Sequence, residues 1–282
     1  AVEKIIASKT FDNGTICASE QAIICETVNQ EEVISELNRQ GGYFMSEEET
    51  DKVCQLLFKN GHAMNAQFVG RSADVIAEAA GISVPSGTKV LVGPQKGVGQ
   101  GYPLSFEKLT TVLGFYVVNN WEEACHLSIE LLQNGIGHTM SIHTNDRDMV
   151  LKFAAKPASR ILVNTGGSQG GTGISTGLPI SFTLGCGTFG GSSVSENVSP
   201  KNLLNIKKVA YGLKDVRTLV AEDTLFDYGL SEGAQEVTCD KGFSKSPADI
   251  QKSFEASNSS AEGLDVAKLE DVVKQLLKEM NQ

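Results

Sequence analysis

Ala22-Ile23-Ile24-Cys25-Glu26-Thr27-Val28, followed by Glu31-Glu32-Val33-Ile34-Ser35-Glu36-Leu37-Asn38-Arg39, is the stretch that decides the fold. The first segment is short, apolar and β-branched, the composition of a strand. In the second, Val33, Ile34 and Leu37 share one helical face. The alternation repeats outward. Ser46 to Asn60 reads as a helix, capped by Ser46 with Glu49 three residues on and stopped by Gly61. Ser72 to Ala80 is a third helix, ended by Gly81, and Lys89-Val90-Leu91-Val92 is a short buried strand. Leu113 to Val118 reads as a strand, Trp121 to Asn134 as a helix, and His138 to Thr144 and Arg160 to Asn164 as two more strands. Strands alternating with helices build a mostly parallel sheet covered on both faces. The expected class is therefore α/β, a three-layer, mostly parallel open sheet.

Immediately upstream, Thr10-Phe11-Asp12-Asn13-Gly14-Thr15-Ile16-Cys17-Ala18-Ser19-Glu20-Gln21 sets one cysteine after a glycine-containing turn and before an apolar run. A thiol on such a loop lies within reach of backbone N–H groups able to hold negative charge. A free cysteine is more often a small buried apolar residue. On the residues alone both readings of Cys17 stand.

The block Lys9 to Gln21 resembles the catalytic-cysteine motif of CoA-acylating aldehyde dehydrogenases, including the aldehyde-dehydrogenase half of bifunctional aldehyde-alcohol dehydrogenases. Three later blocks follow the same family in order. They are Phe106-Glu107-Lys108-Leu109, Gly135-Ile136-Gly137-His138-Thr139, and Thr183-Leu184-Gly185-Cys186-Gly187-Thr188-Phe189-Gly190-Gly191. The last continues through Ser195-Glu196-Asn197-Val198. The similarity runs from about residue 1 to about residue 212.

The resemblance implies a thiolate at Cys17 that attacks an aldehyde, forms a thioester as NAD takes hydride, and passes the acyl group to coenzyme A. Cysteine suits both halves, being a strong nucleophile whose thioester stays reactive. His138 would be a general base toward Cys17 or the coenzyme A thiol. Glu107 matches the glutamate that accepts from the nicotinamide ribose hydroxyls. Gly190 matches a position whose backbone lies beside the cofactor. NADP is left open beside NAD, since the discriminating region lies upstream in this family. A lone histidine at a strand start is otherwise most often structural, and a lone glutamate solvated.

Composition narrows the alternatives. The chain has 282 residues, 34 acidic against 24 basic, for a net charge of -10. That balance argues against nucleic acid or an anionic membrane as partner. No apolar run approaches the roughly 18 residues that span a bilayer, and no signal peptide is seen at the first residues. Six cysteines include no C-x-x-C pair, and the four histidines form no zinc-ligand spacing with them, so no metal is expected. Reduced thiols in a cytoplasm follow.

Residues 164–191 are glycine-dense but lack both a P-loop Gly-Lys-Ser/Thr and a G-x-G-x-x-G between strand and helix. They read as loops around the site, with glycines where backbone approaches closely. Three regions are expected: a thiol-bearing catalytic domain over 1–212, an extension and linker over 213–263, and an amphipathic helix over 264–282. In the last, Val266, Leu269, Val273, Leu276 and Met280 share a face. That helix must bury its stripe, on its own subunit, on a homo-oligomer partner, or as an encapsulation peptide on a bacterial microcompartment shell. By resemblance a nucleotide-binding domain would precede residue 1. The rival readings are a non-acylating aldehyde or semialdehyde dehydrogenase, a cysteine hydrolase, and a non-catalytic assembly module.

Overall fold

The computed structural model describes residues 1–213. Its main unit is Ala1–Lys207, and the expectations for 213–263, past Leu213 itself, and for 264–282 fall outside the described residues. Helix α1 (Val2–Thr10) leads into a 3-10 turn and then β1 (Ala22–Glu26). There follow α2 (Gln30–Arg39), β2 (Gly42–Phe44), α3 (Glu47–Leu57), β3 (Phe58–Lys59), β4 (Ala63–Met64) and α4 (Ala73–Ala80). The second half holds β5 (Val90–Pro94), β6 (Val112–Val118), α5 (Trp121–Leu132), β7 (Gly137–Ile142), α6 (Arg147–Ala154), β8 (Ala158–Val163) and α7 (Gly167–Gly171).

Four strands form one all-parallel sheet in the order β1-β6-β5-β2, and β7 and β8 pair in parallel as a second. The larger sheet is buried on both faces. Val90 and Val92 of β5, with Leu113 and Phe115 of β6, join the apolar residues of α1 and α2. Leu91 and Val112, from the same two strands, join those of α3 and α4. Consecutive residues thus feed opposite cores, which is why these strands read as unbroken apolar runs. Each fully buried Leu or Val contributes about 1.5–3 kcal/mol of transfer free energy. The α/β architecture with helices on both faces is present, its parallel strands divided between two sheets.

The strand read through Val28 ends at Glu26, the helix read to Asn134 ends at Leu132, and the strand read to Thr144 ends at Ile142, and the end of α3 differs for a reason of its own. Ser46 caps α3 with a complete capping box, its hydroxyl taking the Glu49 N–H and the Glu49 carboxylate taking the Ser46 N–H. The helix nevertheless ends at Leu57, because Phe58-Lys59 pairs with Ala63-Met64. Asn60 and Gly61 have φ of 55° and 77°, the left-handed pair that turns a hairpin. Gly61 is a hairpin residue, not a helix stop. Gly81, at φ 68°, does cap α4 as expected.

Candidate active site

Cys17 is placed by an unusual reversal. Asp12 and Asn13 both have φ of 48° and Gly14 has 74°, three successive residues in left-handed space. Asp and Asn are the side-chain-bearing types that enter that region most readily. At Gly14 nothing larger fits, since a Cβ would stand 2.6 Å from the Thr110 carbonyl oxygen. The Asn13 amide donates to the Gly70 carbonyl at 3.0 Å, and the Ser19 N–H donates to the Ile16 carbonyl at 2.8 Å. Cys17 stands exposed between this turn and β1. Loss of solvent and then the Glu107 carboxylate raise its pKa above the usual thiol value. The N–H groups of Cys17 and Ala18 act in the opposite sense, as donors facing the sulfur.

Cys17, Glu107 and His138 line one cavity of about 1040 Å³, whose walls include residues of both β1 and β7. Glu107 is exposed there and makes no ion pair among the described residues. Its loop rests on two buried amines. Lys108 Nζ donates to the carbonyls of Leu104 at 2.5 Å and Phe106 at 2.8 Å, while its N–H donates to Gln21 Oε1 at 2.7 Å. Lys9 of α1 donates to the Lys108 carbonyl at 3.0 Å. Burial lowers the pKa of Lys9 to about 7, against the opposing charges of Glu20 and Glu107. Burial, then the nearby Lys9, pushes Lys108 well below the ordinary lysine value.

His138 sits at the start of β7. Its Nδ1 lies 2.8 Å from the hydroxyl of Thr139, and Nε2 has no protein hydrogen bond among the described residues. Burial, then the Arg160 charge, lowers its pKa to about 4, so the ring is uncharged at neutral pH. Gly137 has φ 84°, and a Cβ there would fall 2.0 Å from the Cys186 carbonyl oxygen. Gly190 does not line the cavity. A side chain on it would meet Cys186 Cβ at 2.4 Å and the Ile136 carbonyl at 2.8 Å, so its first requirement is packing of its own loop onto the residues before His138.

The glycine-dense segment packs against the backbone that carries Cys17. Gly167 opens α7 with its N–H donating to Glu20 Oε1 at 2.7 Å, and a Cβ there would lie 2.0 Å from the Ala18 carbonyl oxygen. Ser168 donates two hydrogen bonds to Ser8, from its N–H to the hydroxyl at 2.8 Å and from its hydroxyl to the carbonyl at 3.0 Å, tying α7 to α1. Close backbone approach is what these glycines permit. Four charged residues that shape the site were not singled out from sequence: Lys9, Glu20, Lys108 and Arg160. All are engaged with groups distant in sequence, which no local pattern announces.

No protein-family model matches the chain. An aldehyde-alcohol dehydrogenase of Clostridium acetobutylicum is 44% identical over 217 residues, covering 74% of this chain and 25% of that protein. The acetylating aldehyde dehydrogenase of Geobacillus thermoglucosidasius, known from its crystal structure, is 47% identical with a TM-score of 0.73. The match covers 76% of this chain and 48% of that one. The chain is a homologue of the acylating aldehyde dehydrogenases. The acetylating succinate-semialdehyde dehydrogenase of Clostridium kluyveri, 35% identical over 221 residues, agrees, with 77% of this chain and 48% of that protein covered. This acylating aldehyde dehydrogenase homologue spans between a quarter and a half of the length of these relatives.

Proposed function

We propose that this chain is the catalytic part of an enzyme interconverting an aldehyde and an acyl-CoA with NAD(H), with the acyl group carried on Cys17. The observation that carries the reading is the shared cavity of Cys17, Glu107 and His138, three residues widely separated in the chain. In the oxidative direction Cys17 Sγ attacks the aldehyde carbon to give a thiohemiacetal. The N–H groups of Cys17 and Ala18 face that sulfur and polarise its surroundings. Loss of the carbon-bound hydrogen as hydride and of the hydroxyl proton to solvent leaves a thioester on Sγ, and the acyl group then passes to the coenzyme A thiol as that thiol releases its proton. His138 faces the cavity where that thiol and the acyl carbonyl meet.

NAD, when bound, supplies the hydride acceptor. Glu107 fits its ribose, as an exposed carboxylate free of ion pairs among the described residues and able to accept from two hydroxyls. NADP would present the same ribose to Glu107. Gly190 would stand beside the cofactor only through its loop. The segments 1–212, 213–263 and 264–282 are read as catalytic domain, linker and tail helix, in a homo-oligomeric cytoplasmic enzyme. The tail would carry that enzyme to a microcompartment shell, which a fluorescent protein fused to residues 264–282 would test by its co-localisation with shells.

The acyl-transfer half-reaction can be tested without nicotinamide. Acetyl-CoA is mixed with dephospho-coenzyme A, and transfer between the two carriers is followed chromatographically. Transfer that disappears in Cys17→Ser supports the assignment. Undiminished transfer in that variant removes Cys17 from the chemistry, and release of acetate to water in its place favours the non-acylating reading.

A further inference from the structure

Arg160 is the one buried arginine of the described residues, and it holds His138 directly at the carbonyl and indirectly through Thr139. From β8 its Nη2 donates to the His138 carbonyl at 3.2 Å and to the Gly185 carbonyl at 2.6 Å. Its Nη1 donates to the Ser195 carbonyl at 3.2 Å. Its Nε donates to Thr139 Oγ1 at 3.0 Å, the same oxygen that lies 2.8 Å from His138 Nδ1. The guanidinium thus ties β7, β8 and the loop of Cys186 into one unit.

The proton arrangement follows from counting donors. Thr139 Oγ1 carries one proton and two lone pairs. Arginine cannot surrender its proton, so one lone pair is always taken by Arg160 Nε–H. If His138 Nδ1–H also donated to that oxygen, the Thr139 proton would have no protein acceptor among the described residues. If the Thr139 hydroxyl donates to Nδ1 instead, every member of the chain is satisfied. A cationic donor behind a hydroxyl also polarises it into a better donor, strengthening that direction. Nδ1 is then the acceptor, and the ring proton resides on Nε2.

We propose that Arg160 and Thr139 are positioning residues that fix His138 as a neutral ring presenting Nε2–H to the cavity, a hydrogen-bond donor to the acyl oxygen of the Cys17 adduct. This rests on the proposed acyl chemistry and deepens it, giving His138 an oxyanion-stabilising role in place of a basic one. Coenzyme A gives up its thiol proton to solvent before it attacks. Its thiolate forms a new C–S bond, negative charge gathers on the carbonyl oxygen, and the Cys17 C–S bond breaks to release a thiolate that regains a proton from solvent. The donor is needed while that oxygen is charged. A ring whose pKa is lowered to about 4 is a poor base toward any thiol, which suits a donor. The titratable groups facing this assembly are Arg160 itself and the thiols of Cys17 and Cys186.

Two measurements test it. In the full chain labelled with nitrogen-15, long-range proton–nitrogen correlation spectra report which ring nitrogen of His138 holds the proton, with His138→Gln assigning the signal. The expected wild-type result is the Nε2–H form at pH 7. Thr139→Val should mix the two tautomers and Thr139→Ser should restore the wild-type spectrum. An Nδ1–H ring in the wild type, or a spectrum unmoved in Thr139→Val, overturns the proposal whether or not Cys17 is acylated. Second, His138→Gln keeps a side-chain N–H donor but no base. Acetyl transfer in it should stay within about tenfold of wild type, while His138→Ala loses about 10²–10³-fold, as for one lost oxyanion donor. Equal losses in the two variants overturn the proposal.

Discussion

Lys9→Met should stabilise the protein at neutral pH and destabilise it at high pH. Lys9 is fully buried, and its amine has one hydrogen bond, to the Lys108 carbonyl at 3.0 Å. Its folded pKa is about 7 against an ordinary 10.5. In the pH range between these values the unfolded chain holds a proton that the folded chain has released, so stability rises with pH. Above 10.5 the amine is neutral in both states and the penalty vanishes. It grows as pH falls toward 7 and is complete below that. Its limiting size is about 5 kcal/mol, with about 4 kcal/mol present at pH 7 and less than about 1 at pH 10. Methionine fills similar volume without charge but leaves the Lys108 carbonyl unpartnered, at about 1–3 kcal/mol. The variant should therefore gain about 2 kcal/mol at pH 7 and lose about 1 at pH 10. Guanidinium unfolding of variant and wild type at both pH values measures the change; Lys108 keeps its burial in both proteins but loses the Lys9 charge in the variant, which adds to the gain at pH 7. A variant-to-wild-type difference that is the same at pH 7 and pH 10 would refute the reasoning.

Two further changes probe the site itself. Glu107→Gln removes the carboxylate that raises the Cys17 pKa, so more thiolate is present at a given pH. Iodoacetamide should alkylate Cys17 faster at pH 8 in that variant, and an unchanged rate would separate Glu107 from the sulfur. Gly137→Ala forces an L side chain into φ 84° and drives its Cβ to 2.0 Å from the Cys186 carbonyl oxygen. Left-handed strain alone costs about 1–2 kcal/mol, and with the clash the Tm should fall by roughly 4–8 °C for a domain of this size. A melt within 1–2 °C of wild type, in roughly the range of a harmless substitution, would show that the Cys186 loop yields freely.

Much of this was legible in the chain, for physical reasons that differ by element. The strands β1, β5 and β6 declare themselves because burial on both faces requires apolar residues without interruption. The ends of α3 and α4 separate the cases. At Gly81 a left-handed residue closes a helix, but at Asn60-Gly61 the same preference serves a hairpin, and only the pairing of Phe58 with Met64 distinguishes them. Helix α7 was hidden because five residues rich in glycine have no helical propensity of their own, and tertiary contact with Ala18 and Ser8 holds them. Cys17, Glu107 and His138 became candidates through ordered motifs that resemble one family. Composition alone left each with a plainer reading. The buried Arg160, Lys9 and Lys108 carry no such mark, since a lysine or arginine in a sequence is a surface residue until the fold shows what surrounds it.

The central claim is that the sulfur of residue 17 accepts an acyl group. Incubation of the full chain with propionyl-CoA, followed by intact-mass analysis and peptide mapping without reducing agent, tests it most directly. The account predicts one propionyl group per chain, on the peptide containing Cys17, absent from Cys17→Ser and removed by added coenzyme A. A propionyl group on Cys186 or on a lysine, with the thiol of residue 17 still free, would contradict it.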